Sequence, residues 1–226
     1  MNEAILEKTL GRPEVPGVYT RLASVYDLWA GLAEGRARRL ALERAALQDG
    51  EAVLEVAVGT GLLFAQTLRA NPRGRNVGVD LTPAMLARAR RRAARVAPGG
   101  SWELAVGDAY ALDFPDASFD VVFNNYMFDL LPEADFPAVV GELVRVLRPG
   151  GRLVLVNMTH GKGPIARAAG ALFELEPSLF GGCRAVRLSP VLEAAGLKDL
   201  TRDVVSQLGV ASEVLRAVRP ALETAR

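Results

Sequence analysis

The stretch Leu54-Glu55-Val56-Ala57-Val58-Gly59-Thr60-Gly61 decides the fold of this 226-residue chain. With Ala52 and Val53 before it, it forms a nearly continuous apolar run over residues 52–58. Such a run is expected of a strand buried on both faces. It breaks at Gly59-Thr60-Gly61, and residues 62–68 then take up helical spacing. Glycines let the chain turn sharply and let a ligand approach the backbone closely. The helix that opens there adds unpaired N–H groups and a partial positive charge of about half a unit. A strand, glycine turn and helix in this order suit a nucleotide-like ligand.

Working outward, the alternation continues. A strand is expected at 76–80, a helix at 84–96, strands at 101–106 and 119–124, a helix at 134–147 and a strand at 152–158. Thr82-Pro83 reads as an N-cap followed by proline at the first helical position. Pro149-Gly150-Gly151 reads as a turn between helix and strand. Ser189-Pro190 starts a helix that ends before Gly196, and residues 197–205 and 212–218 form a terminal antiparallel hairpin. Alternating strands and helices define an α/β fold with a largely parallel sheet and helices on both faces. Residues 1–17 read as an arm and 19–47 as helical. Residues 159–188 break the alternation as an insertion, either a lid or a packing excursion. No repeat or linker divides the chain, so residues 1–226 are expected to form one domain. Within it, residues 1–47 are a helical cap and 51–158 a cofactor-binding core.

Composition narrows the function. Half the residues are apolar, too many for a disordered chain. Lysine and arginine number 27 against 26 acids, and a net charge of +1 argues against nucleic acid as a partner. The lone Cys183 excludes an intramolecular disulfide framework and a multi-cysteine metal site, the lone His160 excludes a poly-histidine centre, and no metal is expected. No apolar run reaches the roughly 18–20 residues of a membrane span. The first residues lack a secretory pattern, so a soluble cytoplasmic protein is expected.

Asp80 follows Gly61 by 19 residues and ends the second strand, where a carboxylate can accept both hydroxyls of a ribose. Both a dinucleotide dehydrogenase and an S-adenosylmethionine binder share this geometry. The dehydrogenase fingerprint needs a third small residue, and Phe64 stands there instead. A tyrosine four residues before a lysine is also missing, since Ala4, Met158 and Ala194 precede Lys8, Lys162 and Lys198. No lysine follows the glycines, which excludes a Walker-type phosphate loop. Gly107-Asp108-Ala109 ends the third strand, where an acid can accept from an adenine amino group or cap a helix. Two further motifs follow, Asp113-Phe114-Pro115-Asp116-Ala117-Ser118-Phe119-Asp120 and Leu147-Arg148-Pro149-Gly150-Gly151-Arg152-Leu153.

In order and spacing these five motifs resemble class I S-adenosylmethionine-dependent methyltransferases over roughly residues 19–158. Tyr26-Asp27-Leu28, the Thr60-Gly61 turn and Pro115-Asp116-Ala117-Ser118-Phe119-Asp120 resemble the ubiquinone/menaquinone C-methyltransferase branch. Glu55-Val56-Ala57-Val58-Gly59-Thr60-Gly61-Leu62 and Asn157-Met158 also resemble bacterial phosphatidylethanolamine N-methyltransferases. The resemblance implies a three-layer Rossmann-like fold with a seven-stranded sheet in the order 3-2-1-4-5-7-6, its seventh strand antiparallel. It implies S-adenosyl-L-methionine as cofactor. Glu55, Ala57, Gly59, Thr60 and Gly61 would line its methionine and ribose part. Asp80 would hold the ribose hydroxyls, Leu81 would lie against the adenine, and Asp108 and Ala109 would meet its edge. Asn124 would sit beside the amino-acid end, and Tyr19 and Tyr26 would close over the cofactor. Ala57 stands where the family usually has glycine, so crowding is expected there.

The sulfonium carries an activated methyl, so rate can come from aligning acceptor, methyl and sulfur. A carbon or amine acceptor must also lose a proton. His160, past the fifth strand, is one candidate base, with a lid or surface histidine as its plainer reading. Tyr126 and Asp129 are rivals beyond the fourth strand. The apolar segment Tyr126-Met127-Phe128-Asp129-Leu130-Leu131-Pro132, with Leu172, Phe173, Leu175, Leu179 and Phe180, could form an acceptor pocket or simply pack the core. A small or lipid-like acceptor follows, with a peripheral membrane contact to consider. Arg88, Arg90, Arg91, Arg92 and Arg95 read as a solvated basic face, with anionic lipid or RNA as the alternative. Readings of other classes are a nicotinamide-dependent oxidoreductase and a non-catalytic cofactor-binding partner subunit.

Overall fold

The computed structural model describes residues 34–159, 184–208 and 210–221. The N-terminal arm, the start of the expected 19–47 helix with Tyr19 and Tyr26, and residues 160–183 with His160 and Cys183 lie outside them. The elements are α1 (Gly35–Ala45), β1 (Ala52–Val56), α2 (Leu62–Ala70), β2 (Arg75–Asp80), α3 (Pro83–Val96), β3 (Trp102–Val106) and β4 (Phe119–Asn125). They continue with α4 (Phe136–Val146), β5 (Leu147–Met158), α5 (Ser189–Ala194), β6 (Lys198–Gln207) and β7 (Val210–Val218).

The seven strands form one sheet in the order β3-β2-β1-β4-β5-β7-β6, as the sequence resemblance implies. β1 to β5 pair in parallel, and β7 runs antiparallel to both β5 and β6. The strand order reverses between β1 and β4, which opens the crevice where ligands bind in such sheets.

Alternation along the strands supplies both faces of the core. Leu54, Val56, Val122, Leu153 and Leu155 pack with Val139, Val140 and Leu143 of α4. Val53, Val121, Phe123, Val154 and Val156 pack with Ala37, Ala41 and Ala45 of α1, whose small side chains let it lie close to the sheet. Met85, Leu86, Ala89 and Ala93 form the buried stripe of α3, which packs with Phe64, Leu68 and Leu104. The Phe64 ring is therefore lodged between α2 and α3. Burying each of the valine, leucine, methionine and phenylalanine side chains contributes about 1.5–3 kcal/mol.

Thr82 is the N-cap of α3 with proline at the first turn, as its sequence reads, though its side chain makes no cap bond to the helix. Two local readings are corrected. β1 ends at Val56 rather than Val58, because Ala57 takes a left-handed φ of 58° that breaks the pleat. Pro149-Gly150-Gly151 does not separate a helix from a strand. β5 already pairs Leu147 with Phe119 and resumes at Arg152 opposite Val121, so the intervening residues bulge from one strand. Gly150, at φ 80°, donates its N–H to the Arg219 carbonyl, and the Arg219 N–H returns to Gly151.

Candidate active site

The glycine turn sits at the carboxyl end of β1. Gly59 and Gly61 have φ of 55° and 79°, which glycine adopts without a steric penalty. Beyond Gly59 a Cβ would meet nothing within 4 Å, whereas at Gly61 it would lie 3.0 Å from the Ala89 Cβ of α3. Asp80 closes the turn from β2. Its Oδ2 accepts the Gly59 N–H at 2.8 Å and its Oδ1 accepts the Thr82 N–H at 2.8 Å. Burial pushes the Asp80 carboxyl above its ordinary range, and these two N–H groups oppose that push. Ala57 precedes the turn in the same left-handed region. Its cost is conformational, about 1–2 kcal/mol for a residue with a Cβ.

Leu81 and Val106 project at the ends of β2 and β3, 42% and 60% exposed. Val106 is the register partner of Asp80. Asp108 accepts the Tyr110 N–H at 3.0 Å and pairs with Ala111 in a tight turn, with Ala109 half-buried between them. No helix begins there, so Asp108 caps a turn rather than a helix.

Toward β4 and β5 the edge becomes buried and polar. Asn124 donates to the Val56 carbonyl at 2.8 Å, tying β4 to β1, while its Oδ1 has no partner among the described residues. Among those residues Glu55 Oε2 and Asn125 Oδ1 are also buried without partners. Burial pushes the Glu55 carboxyl well up, against the nearby Arg38 charge and an Asn125 hydrogen bond. Arg38 binds Glu34 at 2.9 Å, yet burial still carries the Glu34 pKa to about 7.

Tyr126 has a left-handed φ of 54°, uncommon for a bulky residue and a mark of local strain. Its N–H donates to Val156 at 2.7 Å, and its hydroxyl meets Ser212 Oγ at 2.8 Å. Asp129 Oδ2 accepts the Met158 N–H at 3.0 Å, whereas Oδ1 has no partner among the described residues. Burial pushes Tyr126 and Asp129 well above their ordinary values. Among the described residues, Asn157, fully buried, has neither amide atom paired, and Glu213 keeps one unpaired oxygen beside its bond to Arg202.

The structure thus gathers Glu55, Ala57, Gly59, Thr60, Gly61, Asp80, Leu81, Asp108, Ala109 and Asn124 along one sheet edge. It separates Tyr126, which packs on the α1 side, from the Asp129 segment, whose Phe128 packs on the α4 side. Tyr19, Tyr26 and His160 are outside the described residues. Sequence reading gave no site role to Arg38, Asn125, Asn157 and Glu213. Asn125 and Asn157 did leave a signal, as amides at the ends of the apolar fourth and fifth strands.

A cofactor with sugar hydroxyls, an ammonium and a sulfonium fits this edge. The turn offers open space at Gly59, an acid bounds it, and buried oxygens of Glu55, Asn124 and Asn125 lack donors. A family profile described as a methyltransferase domain matches residues 53–151. The chain belongs to the class I S-adenosylmethionine-dependent methyltransferases, enzymes whose cofactor is S-adenosylmethionine. It is 36% identical over 165 residues to the phosphatidylethanolamine N-methyltransferase of Cereibacter sphaeroides, covering 71% of this chain and 76% of that one. It is 36% identical over 154 residues to the ubiquinone/menaquinone biosynthesis C-methyltransferase UbiE of Dinoroseobacter shibae. That match covers 66% of this chain but only 61% of the relative's length. The fold is shared with magnesium protoporphyrin IX methyltransferase of Synechocystis, solved with S-adenosylhomocysteine bound, at a TM-score of 0.64 and 19% identity. That likeness covers 81% of this chain and 83% of the other. Among the described residues no helix is long and apolar enough to cross a membrane.

Proposed function

We propose that this protein, acting in the cytoplasm, transfers the methyl group of S-adenosylmethionine to a small apolar acceptor, with carbon of a quinol-like ring favoured. The observation that carries this reading is the apolar segment after β4. Met127, Leu130 and Leu131 stay half-buried there, beside the crevice that the glycine turn opens. Similarity to a quinone-pathway C-methyltransferase supports the same acceptor class.

When bound, the cofactor supplies a methyl group already activated on sulfur. The chain's own residues hold and align it. Asp80 receives the ribose hydroxyls on the lone pairs its two backbone bonds leave free. Leu81 packs against the adenine, and Asp108 and Ala109 meet its edge. Glu55, Ala57, Gly59, Thr60 and Gly61 line the methionine and ribose part, and Asn124 stands at the amino-acid end. Tyr19 and Tyr26, which lie outside the described residues, would close over it. Burial disfavours the charged forms of Tyr126 and Asp129. The candidate bases in this reading are His160, which lies outside the described residues, and Tyr126 and Asp129.

A second reading, N-methylation of a phospholipid head at a membrane surface, is favoured by the similarity to the Cereibacter enzyme. Incubating the purified chain with labelled S-adenosylmethionine and separate quinol, phospholipid and amine pools tests both. Label in the quinol supports the first reading, and label confined to phospholipid replaces it with the second. Cofactor binding without turnover in any pool would make the chain a partner subunit. Preference for a nicotinamide nucleotide over S-adenosylmethionine would make it an oxidoreductase. Full activity of His160→Ala would remove the histidine from the mechanism.

A further inference from the structure

The side of α3 away from its buried stripe carries Arg88, Arg91, Arg92 and Arg95, spaced i, i+3, i+4 and i+7. Residues at that spacing stand side by side on a helix. The helix contains no acidic residue to separate them. Among the described residues these four line a surface cleft of about 200 Å³. Arg90 donates to the Leu104 carbonyl at 2.7 Å, and Arg91 and Arg95 are exposed.

The cleft is joined to the cofactor turn. Arg92 donates to the Thr60 carbonyl and, at 3.0 Å, to Thr60 Oγ1. One turn earlier, Ala89 sits against Gly61. The helix that carries the arginines is thus the platform under Gly59-Thr60-Gly61.

We propose that this cleft binds a phosphate group and that its occupancy favours the cationic cofactor over its demethylated product. Guanidinium forks match the tetrahedral oxygens of phosphate, and converging like charges favour a multiply charged anion over chloride. Residues 88 to 95 span only about 10 Å of helix, room for one or two phosphates rather than a nucleic-acid track. The net charge of +1 leaves no wider basic field to hold a polyanion. A phosphate here neutralises positive charge beside the turn. S-adenosylmethionine carries one more positive charge than S-adenosylhomocysteine, so the bound anion favours the former.

The test titrates inorganic phosphate into the chain without cofactor, at ionic strength held constant with chloride. Saturable binding is expected, weakened about tenfold in the exposed pair Arg91→Gln/Arg95→Gln. Circular dichroism verifies that this variant is folded. Flotation with phosphatidylglycerol and phosphatidylcholine vesicles separates the sources. Phosphate binding alone assigns the cleft to a soluble phosphate, and phosphatidylglycerol binding lost in the variant assigns it to a lipid headgroup. Absence of both, equal binding in the variant, or binding of an oligonucleotide in place of phosphate overturns the site. With phosphate bound, affinity for S-adenosylmethionine should rise about two- to fivefold and that for S-adenosylhomocysteine should not change. An equal change for both overturns the coupling. The cofactor-free titration does not depend on the methyl-transfer reading, so the two can fail separately.

Discussion

The Asp80 carboxylate accepts the Gly59 N–H at 2.8 Å, so the acid that ends β2 braces the glycine turn that ends β1. Its other oxygen holds Thr82 at the start of α3. One side chain therefore sets the turn, the helix and the proposed ribose contact together. Asp80→Ala should weaken S-adenosylmethionine binding by about 1–3 kcal/mol and lower unfolding stability by a similar amount. Calorimetry and urea denaturation measure the two. Unchanged cofactor affinity would remove Asp80 from the ribose.

Ala57→Gly should stabilise the chain. Relief of the left-handed strain is worth about 1–2 kcal/mol, and the added freedom of glycine in the unfolded chain returns about 0.5–1 kcal/mol. A net gain of about 0.5–1 kcal/mol is expected in chemical denaturation. Ala57→Val should destabilise, because a β-branched residue fits that φ of 58° poorly. A loss of stability in the glycine variant would show that the alanine methyl makes a needed contact.

Tyr126→Phe removes the hydroxyl partner of buried Ser212 and should cost about 1–2 kcal/mol of stability. If the tyrosine only fastens β4 to β7, kcat measured below the new melting range will match the parent. A large fall in kcat with KM unchanged would place its hydroxyl in the chemistry.

The buried acids set a pH dependence. Glu34, at about 7, and Glu55, Asp129 and Glu213 all titrate above their ordinary values in the folded chain, foremost because burial disfavours their charge. Between the unfolded and folded pKa values the folded state holds more protons. Unfolding free energy therefore falls as pH rises. This contribution is complete below about pH 4 and is lost as pH climbs through the folded values, for Glu34 near 7. The cofactor-free melting temperature should drop between pH 5 and pH 8, and Asp129→Asn, which keeps an acceptor for the Met158 N–H, should flatten the slope. A melting temperature that rises over that interval would contradict the burial of these groups.

Much of this molecule was legible in its residues. The apolar run before Gly59, the helical spacing after Gly61 and the acid at Asp80 are local patterns with local causes. They were enough to place the sheet edge where the candidate site lies. Boundaries failed where backbone conformation overrode hydrophobic pattern, as at Ala57 and at the β5 bulge around Gly150. The arginines of α3 were visible as a basic face, but not that Arg92 reaches back 32 residues to Thr60.

The order of strands and helices, the glycine turn and the acid after it follow from sequence alone, because each rests on periodicity or on the conformational range of single residues. The pairings of Asp80 with Gly59, Tyr126 with Ser212 and Arg92 with Thr60 belong to the tertiary structure. So do the amide of Asn157, unpaired among the described residues, and the raised pKa values of the buried acids. These depend on which distant segments the sheet brings together and on how completely they exclude water, and neither is encoded in any one stretch of chain.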